Sequence, residues 1–252
     1  MKQQYIFGLH AVAAALEYEP ASIRQLWLVD NRKDARVQQL EKLALTAGVR
    51  PQRCNRATLD NLLPGESHQG VVAECTTAAR SWQEQDLLPL VEAAGQKCLL
   101  LIVDGVQDPH NLGACLRVAN GAGVHAVIAP RDKAVDLNAT VRKVASGAAE
   151  STPFIQVGNM ARTLEMLKQK GVWLVGTSDK AERNLYETDL TGPIGLILGG
   201  ESKGARRLTQ EACDFMVSLP MAGTVSSLNV AVATGVCLYE AVRQRSFVKS
   251  VR

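Results

Sequence analysis

Five short apolar runs recur along the chain after residue 97, and they constrain its fold more than any other feature. They read CLLLIVDG at 98–105, VHAVIAP at 124–130, VWLVGTS at 172–178, IGLILGG at 194–200 and FMVSLPM at 215–221. Each is continuous rather than alternating, which is typical of strands covered on both faces of a parallel sheet. Helical periodicity appears at 111–122, 137–149 and 161–170, and an amphipathic stretch at 228–245 ends the pattern. The alternation of strand and helix predicts an α/β domain with a parallel sheet over residues 97–252.

Residues 1–77 predict a smaller α/β domain. Helices are expected at 10–18, 34–47 and 57–65, and strands at 23–29 and 70–75. Asp34 suits the N-cap of the second helix, and Gly48 stands where a helix end favours a left-handed residue. The more polar segment at 78–96 is expected to link the two domains.

Composition supports a folded protein outside the membrane. Of the 252 residues, 46% are hydrophobic and 21% are charged, which is too apolar for disorder. No apolar run approaches the ~20 residues that span a bilayer, and the first residues lack the apolar core of a signal peptide. We therefore expect a cytoplasmic protein. The six cysteines form no C-x-x-C pair, so we expect buried hydrophobic side chains rather than a metal site.

Polar residues follow the first apolar run, at the kind of strand end where open α/β sheets place ligands. Asp104-Gly105 leads to Asn111 at a predicted helix start and to Arg117 two turns further on. Asn111 could instead simply cap the helix, and Arg117 could be an ordinary surface cation. A G-x-G-x-x-A match at 121–126 follows a helix and precedes a strand. This is the reverse of the dinucleotide-binding order, so we expect it to be a turn.

Two further strand ends carry glycines or small polar residues. The fourth run ends in Gly199 and Gly200, where the absence of a Cβ lets the backbone approach a ligand, although an ordinary turn would also explain them. The fifth run leads through a loop to Ser226, Ser227 and Asn229. Such residues often only cap a helix, but three of them in four positions exceed what a cap needs.

Together these segments resemble the three motifs of the SpoU branch of the SPOUT methyltransferases. The pattern N-x-G-A-x-x-R is matched by Asn111, Gly113, Ala114 and Arg117, the pattern G-x-E-x-x-G by Gly199, Glu201 and Gly204, and the pattern S-L-N by Ser227, Leu228 and Asn229. The segments YIFGLHAVAAAL and HQGVVAE resemble the start and end of the substrate-binding domain that precedes the catalytic domain in rRNA ribose methyltransferases of this family.

The resemblance implies a fold and an activity that spacing alone does not predict. It implies a trefoil-knotted methyltransferase domain, a homodimer, and transfer of a methyl group from S-adenosylmethionine to the ribose 2′-hydroxyl of a guanosine in 23S rRNA or a large-subunit precursor, with no metal. The catalytic residues that it implies are Arg117, Asn111, Glu201 and Asn229. The cofactor-binding residues that it implies are Gly199, Leu219, Leu228, Thr177, Gly200, Pro220, Met221 and Ser227.

Arg117 is the residue expected to act on the target hydroxyl. Because a guanidinium stays protonated, with a pKa above about 12, it is a poor general base. We favour a role in binding the adjacent phosphate and stabilising developing oxyanion charge over a role in deprotonation. His110, beside the first motif, is a weaker candidate base. Which subunit of a dimer supplies Arg117 stays open.

RNA binding by residues 1–77 must depend on where the Lys and Arg side chains lie on the surface, because the net charge of this domain is close to zero. Residues 1–77 contain nine Lys and Arg against eight Asp and Glu, and the whole chain has a net charge of +3. The candidates are Arg32, Lys33, Arg50, Arg53, Arg56 and His68, the last of which could instead close a turn. A tRNA substrate is an alternative that the front domain argues against. A non-catalytic RNA-binding protein is another, against which the intact motif residues count.

Overall fold

The structure, a computed structural model, describes residues 4–18, 20–30, 32, 34–75, 82–200 and 204–247. These residues form two compact units. The first comprises residues 1–81 together with 137–151, and the second comprises 82–136 together with 152–252. A piece of the C-terminal half of the sequence therefore belongs to the front unit.

The elements follow one another along the chain as the apolar runs predict, with additions. The strands are β1 (Gln4–Phe7), β2 (Ile23–Val29), β3 (Pro51–Cys54), β4 (Val71–Cys75), β5 (Leu99–Asp104), β6 (Ala126–Pro130), β7 (Phe154–Val157), β8 (Trp173–Thr177), β9 (Arg183–Asn184), β10 (Ile194–Gly199) and β11 (Phe215–Ser218). The helices are α1 (Leu9–Tyr18), α2 (Ala35–Thr46), α3 (Arg56–Leu62), α4 (Leu87–Ala94), α5 (Pro109–Gly121), α6 (Ala139–Ala145), α7 (Ala148–Ser151), α8 (Met160–Gln169), α9 (Arg207–Glu211) and α10 (Val230–Phe247).

The first unit is built on a four-stranded sheet in the order β1-β4-β2-β3. β4 is antiparallel to both of its neighbours, and β2 is parallel to β3. The Asp34 carboxylate accepts hydrogen bonds from the first turn of α2 as its N-cap, and Gly48 after that helix has a φ of +77°. Both local predictions are confirmed. Val12 and Leu16 of α1 pack with Leu26 and Leu28 of β2 in the core.

The segment predicted as one helix over 137–149 is instead two short helices, α6 and α7. The backbone turns between them at Ser146 and Gly147, whose φ angles are +53° and +94°. A Cβ on Gly147 would lie 2.8 Å from the Cβ of Ala14, so the turn packs closely on α1. An ion pair of 2.8 Å joins Arg142 Nη1 to Glu150 Oε1, and both side chains are almost completely buried. Tertiary packing rather than helical periodicity therefore decides the conformation of this segment.

The second unit is a seven-stranded, fully parallel sheet in the order β7-β6-β5-β10-β8-β11-β9. All five apolar runs form strands, as predicted. β7 and β9, which are four and two residues long, were not predicted. The order is not sequential, since β10 lies between β5 and β8. The carboxyl ends of β5, β10, β8 and β11 therefore stand side by side.

The cysteines lie largely in the interior. All six are free thiols, and Cys75, Cys98, Cys115 and Cys237 are buried. Burial raises the pKa of the Cys98 thiol to about 11 and that of Cys237 to about 12. Within the described part of the chain, no helix has the length and apolar character that crossing a membrane requires.

Candidate active site

A cavity of about 480 Å³ opens at the carboxyl ends of β8, β10 and β11. Small-molecule sites have volumes of roughly 300–1,000 Å³, so the cavity is large enough for a nucleoside-sized ligand. Seven of the eight residues predicted to bind the cofactor line it, namely Thr177, Gly199, Gly200, Leu219, Met221, Ser227 and Leu228. The eighth, Pro220, is exposed in the same loop and is not part of the wall.

Gly199 and Gly200 are glycines because neighbouring backbone leaves no room for a side chain. A Cβ on Gly199 would lie 1.8 Å from the amide nitrogen of Ala205. A Cβ on Gly200 would lie 2.3 Å from the carbonyl oxygen of Gly105, at the end of β5. The β10 end therefore passes directly against the β5 end, and its backbone borders the cavity.

The first and third motifs are joined directly by their asparagines. Asn229 Nδ2 donates a hydrogen bond of 3.0 Å to Asn111 Oδ1. α5 already begins at Pro109, and Asp108 is its N-cap, so the alternative in which Asn111 caps that helix is wrong. Asn229 Oδ1 does accept from the amides of Ala231 and Val232 at the start of α10. One amide side chain thus both caps α10 and ties it to α5.

Arg117 lies on α5 with an exposed side chain, and it is not part of the cavity wall. Residues three and four positions apart share a helix face, so Gly113 and Ala114 of the first motif lie beside Arg117 on the side of the preceding turn. These small residues leave room for its side chain to extend toward the amino end of α5, the direction that helical side chains favour. Arg117 is therefore accessible to solvent in the described part of the chain.

The cavity wall also contains residues that the sequence did not predict. Ser178, Asp179 and Lys180 follow β8 directly, and Gln210 belongs to α9. The signal that could have found the first three is their position after an apolar run, the same signal that identified the other strand-end loops. Glu201, the acidic residue of the second motif, lies outside the described residues.

The histidines have structural contacts or lie on the surface. His68 is only 1% exposed. Its Nε2 lies 2.8 Å from Asp60 Oδ1, and its Nδ1 accepts from the Gly70 amide. His125 Nδ1 accepts from the Leu99 amide, whereas His110 is exposed. His68 therefore closes a turn, the second of the two roles considered for it.

The predicted RNA-binding arginines fall into two groups. Arg32 and Arg53 form ion pairs of 2.5 Å with Asp34 and Glu41. The side-chain hydrogen bond from Arg32 lowers the pKa of Asp34. Arg50 and Arg56 are exposed, and Arg56 has only a 3.9 Å contact with Asp60. Lys33 lies outside the described residues.

The parallel sheet and the three motif loops at its edge define a SpoU-type methyltransferase domain. The model of the SpoU rRNA Methylase family matches residues 98–239, and that of the RNA 2′-O ribose methyltransferase substrate binding domain matches residues 5–80. The chain belongs to the SpoU rRNA methylase family.

Two rRNA methyltransferases are similar in sequence to this chain over almost its entire length. It is 52% identical over 247 residues to the 23S rRNA (guanosine-2′-O-)-methyltransferase RlmB of Ralstonia nicotianae, covering 98% of each chain. It is 54% identical over 241 residues to RlmB of Pseudomonas aeruginosa, covering 96% of each. Its fold is similar to that of the SpoU methyltransferase AviRb from Streptomyces viridochromogenes in complex with the cofactor AdoMet. That similarity has a TM-score of 0.79 and 26% identity, and it covers 97% of this chain and 91% of that one.

Proposed function

We propose that this chain transfers a methyl group from S-adenosylmethionine to the ribose 2′-hydroxyl of a guanosine in 23S rRNA. The observation that carries the proposal is the cavity at the strand ends, which brings together residues of the second and third motifs. The hydrogen bond between Asn229 and Asn111 adds the first motif to the same place. Identity above half to two RlmB enzymes, over both units, supports the reaction and the substrate.

The residues of the cavity fit the proposed cofactor. Gly199 and Gly200 line the cavity without side chains, so a ligand can pack closely against the main chain there. Leu219, Met221 and Leu228 offer apolar surface for an adenine ring, and Ser227 offers a hydroxyl. The bound cofactor would supply an activated methyl group, and the chain would supply alignment of the ribose oxygen with it.

Arg117 is proposed to bind the RNA rather than the cofactor. It is exposed and separate from the cavity wall, which suits contact with a phosphate next to the target ribose and stabilisation of charge on the attacking oxygen. Asn111 and Asn229 are proposed to hold the two helices in register, and Glu201 to complete the catalytic set. Removing the hydroxyl proton is the less favoured role for Arg117, because a guanidinium does not give up its own proton near neutral pH.

The first unit is proposed to bind the rRNA through its exposed cations. Arg50 and Arg56 are the stronger candidates, because Arg32 and Arg53 are paired with carboxylates of the same unit. Phosphate contacts of this kind position an RNA without reading its sequence. Lys33 remains a candidate from the sequence, and the burial of His68 weighs against its direct contact with RNA.

We also propose a homodimer, a cytoplasmic location and the family's trefoil knot in the second unit. Val225, Leu228, Val232 and Tyr239 are large exposed apolar side chains on α10 and the loop before it, a pattern typical of an interface. Light scattering measures the mass directly. We expect Val232→Asp to yield monomers, whereas Leu208→Asp, at an equally exposed leucine on α9, should leave the dimer intact.

Co-expression of two variants tests which subunit supplies Arg117. One carries Arg117→Ala, and the other carries Gly200→Val, whose side chain would clash with the Gly105 backbone and should distort the cavity. If Arg117 acts across the dimer, the mixed dimer contains one complete site and regains activity. If it acts within its own chain, the mixed dimer stays inactive.

The experiment that tests the reaction uses labelled S-adenosylmethionine and total RNA from a host that lacks the gene. We expect ribose methylation at a guanosine of 23S rRNA. Arg117→Ala should abolish transfer while leaving cofactor affinity unchanged, and Arg162→Ala, at an exposed arginine on α8, should be fully active. Label in tRNA alone would contradict the rRNA assignment, and no label in any RNA would favour a binding protein.

A further inference from the structure

Asp104 is a fully buried carboxylate at the end of β5 that the three motifs do not include. Its side chain is 0% exposed, and it is paired with Gly199 in the register between β5 and β10. A buried carboxylate is costly unless charged or hydrogen-bonding groups compensate it. Its contacts therefore indicate what it holds in place.

Asp104 contacts the backbone of two described residues that follow β10, Gly200 and Arg206. Its carbonyl oxygen accepts a hydrogen bond of 2.9 Å from the Gly200 amide. Its Oδ2 accepts one of 2.8 Å from the Arg206 amide. Gly200 and Gly204 both line the cavity, and the Gly204 amide donates to the Gly200 carbonyl. One residue thus fixes the beginning and the end of a wall of the cavity without entering it.

The Arg206 side chain completes this arrangement. Its Nε lies 3.4 Å from Asp104 Oδ1, and its Nη2 donates a hydrogen bond of 3.0 Å to the carbonyl oxygen of Asp132, in the loop after β6. Its side chain is 43% exposed, whereas that of Asp104 is inaccessible. Water can therefore stabilise the guanidinium if the two groups separate, but it cannot reach the carboxylate.

We propose that Asp104 and Arg206 form a brace that holds Gly200 and the backbone of residues 204–206 in the positions that cofactor binding requires. Both are positioning residues: neither lines the cavity, and they act through the backbone of Gly200 and residues 204–206. The proposal rests on the proposed use of this cavity for S-adenosylmethionine.

Because Asp104 is buried and Arg206 is partly exposed, substitutions of the two residues should weaken cofactor binding to different extents. An ion pair exposed on the surface would not give this difference. Removing one partner of a buried pair is worse than removing both, because it leaves a buried charge uncompensated. Arg206→Gln should therefore raise the dissociation constant for S-adenosylmethionine by ~10-fold or more. A 10-fold increase corresponds to a loss of ~1.4 kcal/mol of binding free energy. Asp104→Asn should have a smaller effect, because the amide is neutral and its oxygen still accepts from the Arg206 amide. The double variant should resemble Asp104→Asn, so that the second change partly rescues the first.

The test measures cofactor binding by calorimetry without RNA, together with thermal unfolding and the kinetic constants of the methylation reaction. We expect a higher KM for the cofactor with kcat at saturation nearly unchanged. Arg206→Lys should bind with intermediate affinity, since it keeps the charge and the backbone amide. Arg207→Gln removes the same charge from the adjacent residue, which is 81% exposed and paired with Glu211, and it should bind like the wild type.

Two results would overturn the brace. The first is a lower unfolding temperature in Arg206→Gln with an unchanged dissociation constant, which would make the pair purely structural. The second is a double variant that binds more weakly than Arg206→Gln. If the wild-type protein itself fails to bind S-adenosylmethionine, the proposed function fails as well, whereas wild-type binding with unaffected variants refutes only the brace.

Discussion

Gly200→Ala is the smallest change that should close the cofactor site. The added Cβ would lie 2.3 Å from the Gly105 carbonyl oxygen and 2.9 Å from its carbonyl carbon. Both are backbone atoms of Gly105, the residue after β5, so no side-chain rotation relieves the contact. Restoring ordinary van der Waals separation requires the two strand ends to move apart by about 1 Å.

The magnitude follows from the rigidity of these neighbours. Overpacking by a methyl group typically costs 1–3 kcal/mol. Because the nearest neighbours are all backbone atoms, this substitution should lie at the upper end, at about 3 kcal/mol. The same displacement would break the 2.9 Å hydrogen bond from the Gly200 amide to the Asp104 carbonyl oxygen. If the bound conformation carries this cost, cofactor affinity falls by ~100-fold.

Equilibrium binding of labelled S-adenosylmethionine measures this loss, with circular dichroism as the check on folding. Gly223→Ala is the matched control. It lies in the loop of the third motif, its Cβ would meet nothing within 4 Å, and its φ is not positive. Wild-type affinity in Gly200→Ala would refute the argument that this backbone borders the cofactor. An equal loss in Gly223→Ala would show that any change in these loops disturbs the site.

Three other changes test the contacts around the site and the core. Asn229→Asp keeps the acceptor that caps α10 but loses the donor to Asn111. We expect near-normal thermal stability and methyl transfer that is slower by ~10-fold. Normal transfer would contradict a role for that hydrogen bond. Arg245→Met removes hydrogen bonds to the carbonyl oxygens of residues 97, 98, 190 and 192. It should lower the free energy of unfolding, measured in urea, by about 3 kcal/mol. An unchanged midpoint of urea unfolding would refute this. Burial raises the pKa of the Cys115 thiol to about 11. The folded state therefore holds this proton more tightly than the unfolded state, and stability should be lost as the pH rises from about 8.5 toward 11, by ~1.4 kcal/mol per unit for each such thiol. Urea titrations across that range should show a shallower decline for Cys115→Ala, and equal slopes would contradict the assignment.

Local sequence patterns predicted the elements that depend on neighbours along the chain. A continuous apolar run such as 99–104 is a strand wherever both faces are covered, and Asp34 caps α2 through its own adjacent amides. The segment at 137–151 shows the limit of this reasoning. Its periodicity indicates one helix, but packing against α1 through Gly147 bends it into two and places it in the front unit.

The motif residues show the same division between sequence and tertiary structure. The sequence alone determined that Asn111, the glycines after β10 and Asn229 stand at strand ends, and the family resemblance assigned them to one site. It could not determine which strand ends are neighbours, because strand order depends on contacts between residues far apart in the chain. Only the tertiary structure places β10 beside β5, so that Gly200 meets Gly105 and the buried Asp104 accepts a hydrogen bond from the Arg206 amide. A carboxylate that ends an apolar run has no local pattern to mark it, and its importance comes from burial and from partners about a hundred residues away.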